Sequence, residues 1–181
     1  MSELTFSQAQ ADMRSGYFCG VPGILVSGVV WLVAAAVALL LSHKAAVLAL
    51  LTGGTVIHPL AVVFAKLLGR TGRHTAGNPL GKLAAEGTFW LLAGIAIAYG
   101  MHVLRLEWFF PAMLLLIGGR YLTFQTLYGM RIYWVLGSVL CIVGIAFALA
   151  RVSAPTAALA GGLVEVLFAV FLFIHAKRSA A

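Results

Sequence analysis

Charge is scarce in this chain: Asp, Glu, Lys and Arg make up 9% of its 181 residues, where a soluble domain carries about a quarter. With 62% of the residues apolar, the chain cannot cover a buried core with a solvated surface. That excludes a soluble globular enzyme and a disordered polymer. Acids are the rarest charged type, five in all, and they never cluster. No pair stands where a glycosidase or an intramembrane aspartyl site needs one. The two cysteines, Cys19 and Cys141, fall in separate apolar stretches, so there is no disulfide scaffold. No Cys-x-x-Cys or His-x-x-x-His spacing offers a metal site, and no motif calls for a cofactor. What the chain does have is apolar length, with a mean hydropathy of +1.05.

A hydrocarbon core about 30 Å thick takes roughly 20 helical residues at about 1.5 Å each, with every backbone polar group paired inside the span. Six segments qualify: Tyr17 to Leu41, Ala45 to Leu68, Leu83 to Met101, Trp108 to Gly129, Tyr133 to Ala150 and Pro155 to Ala176. The expectation is an all-α polytopic membrane protein, a single six-helix bundle over residues 17–176. A leader (1–16) and a short tail (177–181) flank it. The leader places Phe6, Ala9, Met13 and Tyr17 at helical spacing, which reads either as an interfacial amphipathic helix or as a frayed end. Its Glu3, Asp12 and Arg14, followed by an apolar run of about 25 residues, do not read as a cleaved signal peptide.

Six spans put both termini on one side, with the second and fourth connections. That side holds Arg14, Lys66, Arg70, Arg73, Lys82, Arg131, Lys177 and Arg178, against Lys44, Arg105 and Arg151 opposite. Short cytoplasmic loops are enriched in Lys and Arg, so both termini are expected in the cytoplasm. The formal charge of +7 is therefore a topology signal rather than a nucleic-acid footprint, and the lipid bilayer is the expected partner. Glycine pairs recur at Gly53-Gly54, Gly118-Gly119 and Gly161-Gly162. They suit close helix packing, within one chain or in a homo-oligomer, and also a weak pattern of three repeated hairpins.

Ionisable groups deep inside spans cost about 2.5 to 3.5 kcal/mol each even on lenient insertion scales, and they mark sites by default. His58, Arg120 and Glu165 each lie near the middle of a span that runs from the outer face inward, so they share a mid-membrane layer. Around Arg120, the residues Tyr121, Gln125, Tyr128 and Arg131 fall on one arc of about 140°. That arc must face other helices or a wet cavity. Arg120 and Glu165 are the simplest neutral pair, and small residues beside Glu165 leave room for it. Two readings compete: an ion pair that fixes register, and a polar site for a small polar or anionic solute or a proton. His58 is either part of that site or a core histidine bonded to a carbonyl. Glu86, near the cytoplasmic end of its span, reads as the mouth of the same cavity or as a carboxylate favoured by the helix dipole.

The connection from Gly69 to Leu83 is glycine-rich and basic, but three residues separate Gly77 from Gly81 and Leu83 stands where a P-loop has a hydroxyl. It is not a phosphate loop. Lys66, Arg70, Arg73 and Lys82 are the positive-inside signal, with contact to anionic lipid as their functional reading. Ser27 and Ser138 lack a linked histidine, so a hydrolase or lipid-modifying enzyme has no nucleophile. Trp108, Phe109, Phe110, Tyr133 and Trp134 read as interfacial anchors.

The strings Ile57-His58-Pro59-Leu60, Leu67-Leu68-Gly69-Arg70, Gly77-Asn78-Pro79-Leu80, Trp108-Phe109-Phe110-Pro111-Ala112-Met113 and Gly118-Gly119-Arg120-Tyr121-Leu122-Thr123-Phe124 resemble those of an uncharacterised family of small bacterial integral membrane proteins. The resemblance runs from the leader to about Trp134. It implies a multi-pass protein of the bacterial inner membrane and supplies no catalytic residues.

Overall fold

A computed structural model describes residues 4–178, and over them the chain is helical with no strand. The elements are α1 (Phe6–Tyr17), α2 (Val21–Leu40), α3 (His43–Leu67), α4 (Leu80–Leu104), α5 (Phe109–Tyr128), α6 (Ile132–Ala150) and α7 (Ala154–Arg178). Short 3-10 turns, Phe18–Gly20 and Leu106–Trp108, precede α2 and α5. Five stretches are long and apolar enough to cross a membrane: α1 with α2 taken as one, α3, α4, α6 and α7. The exception is α5, which carries Arg120 and Gln125 and is the helix most surrounded by others.

Local chemistry accounts for the breaks. Thr5 and Gln8 form a reciprocal capping box that starts α1, leaving two fewer unsatisfied amides at its end. Phe18, Cys19 and Gly20 then all take the left-handed conformation, with φ of 48°, 55° and 80°. This turns the chain sharply into α2. A side chain at Gly20 would run into the Tyr133 hydroxyl and the Tyr128 ring. Ser42 caps α3 through the Ala45 amide at 3.1 Å, and Pro59 lies inside that helix. The fourth helix is longer than the expected span, beginning at Leu80 and ending at Leu104. Glu86 therefore lies in its second turn, beyond the reach of the helix N-terminus, and its side chain is exposed.

Two groups of helices make the bundle. In one, α2 packs between α7 and α3; in the other, α5 packs between α6 and α4, and α7 joins the two by touching α5 and α6. The closest seams run through glycine. A Cβ on Gly118 would stand 2.8 Å from the Gly137 carbonyl, and one on Gly137 would stand 2.7 Å from the Gly118 carbonyl, so α5 and α6 meet backbone to backbone. Likewise, a Cβ on Gly162 of α7 would lie 3.0 Å from the Gly28 carbonyl of α2. In each glycine pair at least one member thus serves packing. Three repeated hairpins do not describe the bundle, because α6 packs chiefly on α5, and α7 on α2.

The leader is an ordered helix whose apolar stripe faces protein. Ala9, Met13 and Gly16 are buried, while Phe6 is exposed. Asp12 fastens it to the connection between α3 and α4. Its carboxylate accepts from the Thr75 amide (2.9 Å), the Thr75 hydroxyl (2.8 Å) and Asn78 Nδ2 (2.7 Å). Asn78 also donates to the Ala9 carbonyl, and the Gly72 amide to that of Gly16. Partial burial pushes the Asp12 carboxyl up, but the hydrogen bonds from Asn78 and Thr75, with His74 nearby, outweigh it and hold the pKa below the usual aspartate value.

Candidate functional site

Glu165 is the central feature. It stands midway along α7, is 0% exposed, and neither carboxyl oxygen has a hydrogen-bond partner. The Ser27 hydroxyl on α2 and the Tyr121 hydroxyl on α5 are the donors beside it, near enough to act on the carboxyl but not in regular hydrogen-bond geometry. The close approach of α2 at Gly28, where an added Cβ would lie 3.1 Å from that of Glu165, closes the third side. The site is therefore the junction of α2, α5 and α7. Sequence reading identified Glu165 and Tyr121 but not Ser27, considered there only as a nucleophile. The signal was present, since Ser27 precedes Gly28 in a helix otherwise almost devoid of polar atoms.

Arg120 does not meet Glu165. Of the expected pair, direct or bridged by water, the direct form is not made, and Arg120 turns to another helix. Arg120 Nη1 points at the Gly87 carbonyl of α4 at 3.4 Å, and its guanidinium lies 5.7 Å from the Phe124 ring centre. Among the described residues, the ion pair within 4.0 Å is Arg105–Glu107, at 3.7 Å. The reason is angular. Arg120 and Tyr121 are about 100° apart on the helix, so when Tyr121 is aimed at α7 its neighbour is aimed at α4.

His58 does not face Glu165 either. The inward face of α3 runs through Ala46, Val47 and Leu50 to Gly53, which meets Val30 of α2. Five residues past Gly53 is about 140° round the helix, and His58 is exposed on the outer side. Glu86, exposed as well, forms no mouth to the site. Gln125 is half-buried beside the aromatic residues of the same helix face.

A column of tyrosines leads away from Glu165. The rings of Tyr121 and Tyr133 stack at 6.3 Å, and those of Tyr133 and Tyr128 at 5.4 Å, with Phe124 edge-on to all three. At the far end the Tyr133 hydroxyl donates to the Cys19 carbonyl, and Arg14 Nη1 donates to the Tyr128 carbonyl at 2.5 Å. Tyr133 is fully buried and so is no interfacial anchor; neither are Phe109 and Phe110, which are core residues at the other end of α5. Trp134 does point outward, 56% exposed. Each aromatic in this core buries a large apolar area, and stacked or edge-on pairs add about 0.5 to 1.5 kcal/mol beyond that.

The loop cations divide. Lys66, Arg73 and Lys82 are exposed, whereas Arg70 is half-buried with its guanidinium 5.2 Å from the Phe18 ring centre. Among the described residues no three of His, Cys, Asp and Glu gather as metal ligands.

An all-helical arrangement with several helices long and apolar enough to cross a bilayer, and one carboxyl enclosed where three helices meet, is compatible with a multi-pass membrane protein. Residues 6–175 match the family of unknown function DUF7010, and the chain belongs to that family. No curated protein and no solved structure matches it.

Proposed function

We propose that the protein is a six-span protein of the bacterial cytoplasmic membrane, both termini inside, that binds or carries a small polar solute at the junction of α2, α5 and α7, with Glu165 as the group that meets it. One observation carries the reading: Glu165 is enclosed with both carboxyl oxygens unbonded. Burying a polar group without a partner costs about 1 to 3 kcal/mol on protein scales, and packing alone needs no carboxyl there. Its complement is a proton or a donor group that arrives with a ligand. The facing groups are the Ser27 and Tyr121 hydroxyls, with no cation among them. A solute bearing hydrogen-bond donors or an ammonium therefore suits the site better than an anion. The anionic alternative relied on Arg120, which is directed at α4.

A second reading, a structural or regulatory subunit whose buried charges only fix packing, is favoured for Arg120 by its contact with the Gly87 carbonyl. The test uses the purified full chain in a mild detergent and a panel of small amines, amino acids and sugars. Ligands of the native state raise the melting temperature. At least one member is expected to stabilise wild type and not Glu165→Gln. If none does, or if both proteins respond alike, Glu165 belongs to packing and the binding reading is wrong.

A further inference from the structure

On the side of the bundle that carries both chain ends, a cavity of about 420 Å³ opens between α1, the turn into α2, the start of the α3–α4 connection and the last turns of α7. Arg14, Phe18, Cys19, Arg70, Met130 and His175 line it, and no acid does. The volume falls in the usual range for a small-ligand pocket, roughly 300 to 1,000 Å³.

The two arginines converge without a counter-charge. Neither has a carboxylate within 4.0 Å among the described residues, and Asp12, the acid on α1, is committed to Thr75 and Asn78. Arg14 gives one N–H to the Tyr128 carbonyl. Arg70 rests over the Phe18 ring and donates no side-chain hydrogen bond there. The carbonyls at the end of α5 contribute about half a negative charge at most, which leaves the pair of guanidiniums uncompensated among the described residues. Guanidinium forks match the oxygens of phosphate groups, while Phe18 and Met130 offer an apolar wall beside them.

We propose that this cavity binds a phosphate-bearing anion, with Arg14 and Arg70 on the phosphate oxygens and the apolar wall along the organic part. In the membrane placement proposed above, the cavity lies at the level of the cytoplasmic headgroups. Two sources share this chemistry, the headgroup of an acidic phospholipid and a free phosphate.

Cys19, in the cavity wall, reports occupancy. The full chain in nonionic detergent is alkylated with a maleimide, and the rate at Cys19 is read by mass spectrometry against Cys141, in α6, as internal reference. The probes are sodium phosphate at constant ionic strength, dihexanoyl phosphatidylglycerol and dihexanoyl phosphatidylcholine. Phosphatidylglycerol, phosphate or both are expected to slow Cys19 at least threefold and leave Cys141 unchanged. Protection by the lipid alone assigns the headgroup; protection by phosphate too assigns a free-anion site. Arg70→Gln and, independently, Arg14→Gln are expected to abolish the protection, whereas Lys82→Gln, an exposed cation outside the cavity, keeps it. No slowing by either anion overturns the proposal. So does equal protection by phosphatidylcholine, or undiminished protection in the arginine variant that folds.

Discussion

An unbonded carboxyl inside a helix bundle opposes folding, so its removal should cost little. Glu165→Met, close in volume and without a polar head, is expected to leave thermal stability in detergent unchanged or to raise it by about 1 to 3 kcal/mol. A loss of more than about 2 kcal/mol on unfolding would mean that the carboxyl is paired in the folded protein. A double-mutant cycle over Arg120→Gln and Glu165→Gln should give a coupling energy below about 1 kcal/mol, since the two side chains face different helices. A coupling of several kcal/mol would restore the ion pair. The sequence made the position of these groups along their helices legible, because rise per residue is nearly constant. It did not make their direction legible. In α3 every face is apolar apart from isolated residues, so nothing in the pattern says that Gly53 looks inward and His58 outward. The polar arc of α5 was readable because Tyr121, Gln125 and Tyr128 stand out against apolar neighbours. Even there, which partner helix lies opposite Tyr121 and which opposite Arg120 depends on contacts between segments far apart in the chain.

Helix seams give a sharper test at the scale of elements. Gly118 and Gly119 are adjacent, yet a methyl on Gly118 would stand 2.7 Å from Cys141 Sγ, 2.8 Å from the Gly137 carbonyl and 3.0 Å from the Cys141 amide, whereas nothing lies within 4 Å of one on Gly119. Gly118→Ala should therefore destabilise the protein by about 1 to 3 kcal/mol, because backbone atoms cannot yield. Gly119→Ala should be neutral or stabilising by up to about 1 kcal/mol through helix propensity. Thermal unfolding of the two variants side by side distinguishes a seam from a generic dislike of alanine. The leader lock is pH-dependent. The lowered pKa of Asp12 means that its contribution is complete above the ordinary aspartate value, near 4, and is lost as pH falls through the lower folded value. Hydrogen exchange in α1 and in residues 70–80 is expected to rise on acidification across that window, or with Asp12→Ala at neutral pH, while α5 and α6 stay protected. Unchanged exchange in Asp12→Ala would show that the apolar stripe and the bonds of Gln10 and Arg14 to the end of α5 hold the leader without Asp12. That stripe was legible in the sequence as Ala9 and Met13 at helical spacing; the Asp12 lock was not, since its partners lie 63 and 66 residues away.

At the scale of the molecule, the large apolar side chains left outside, among them Leu40, Leu67, Trp90, Leu104 and Leu149, suit a lipid surround. In the six-span placement proposed above, reporter fusions at residue 1 and residue 181 should both be active in the cytoplasm, and opposite sidedness would require an odd number of crossings. The leader also constrains how such a protein is made. Gln10 hydrogen-bonds to the Thr126 carbonyl across 116 residues, and Arg14 to Tyr128 across 114. α1 can meet the α3–α4 connection through Asp12 early, but its docking is not complete until the end of α5 has been synthesised. At about 5 to 20 residues per second, that is a wait on the order of ten seconds, during which α1 is only partly docked. α1 should be cleaved faster in nascent chains stalled before Thr126 than in chains stalled well after Tyr128.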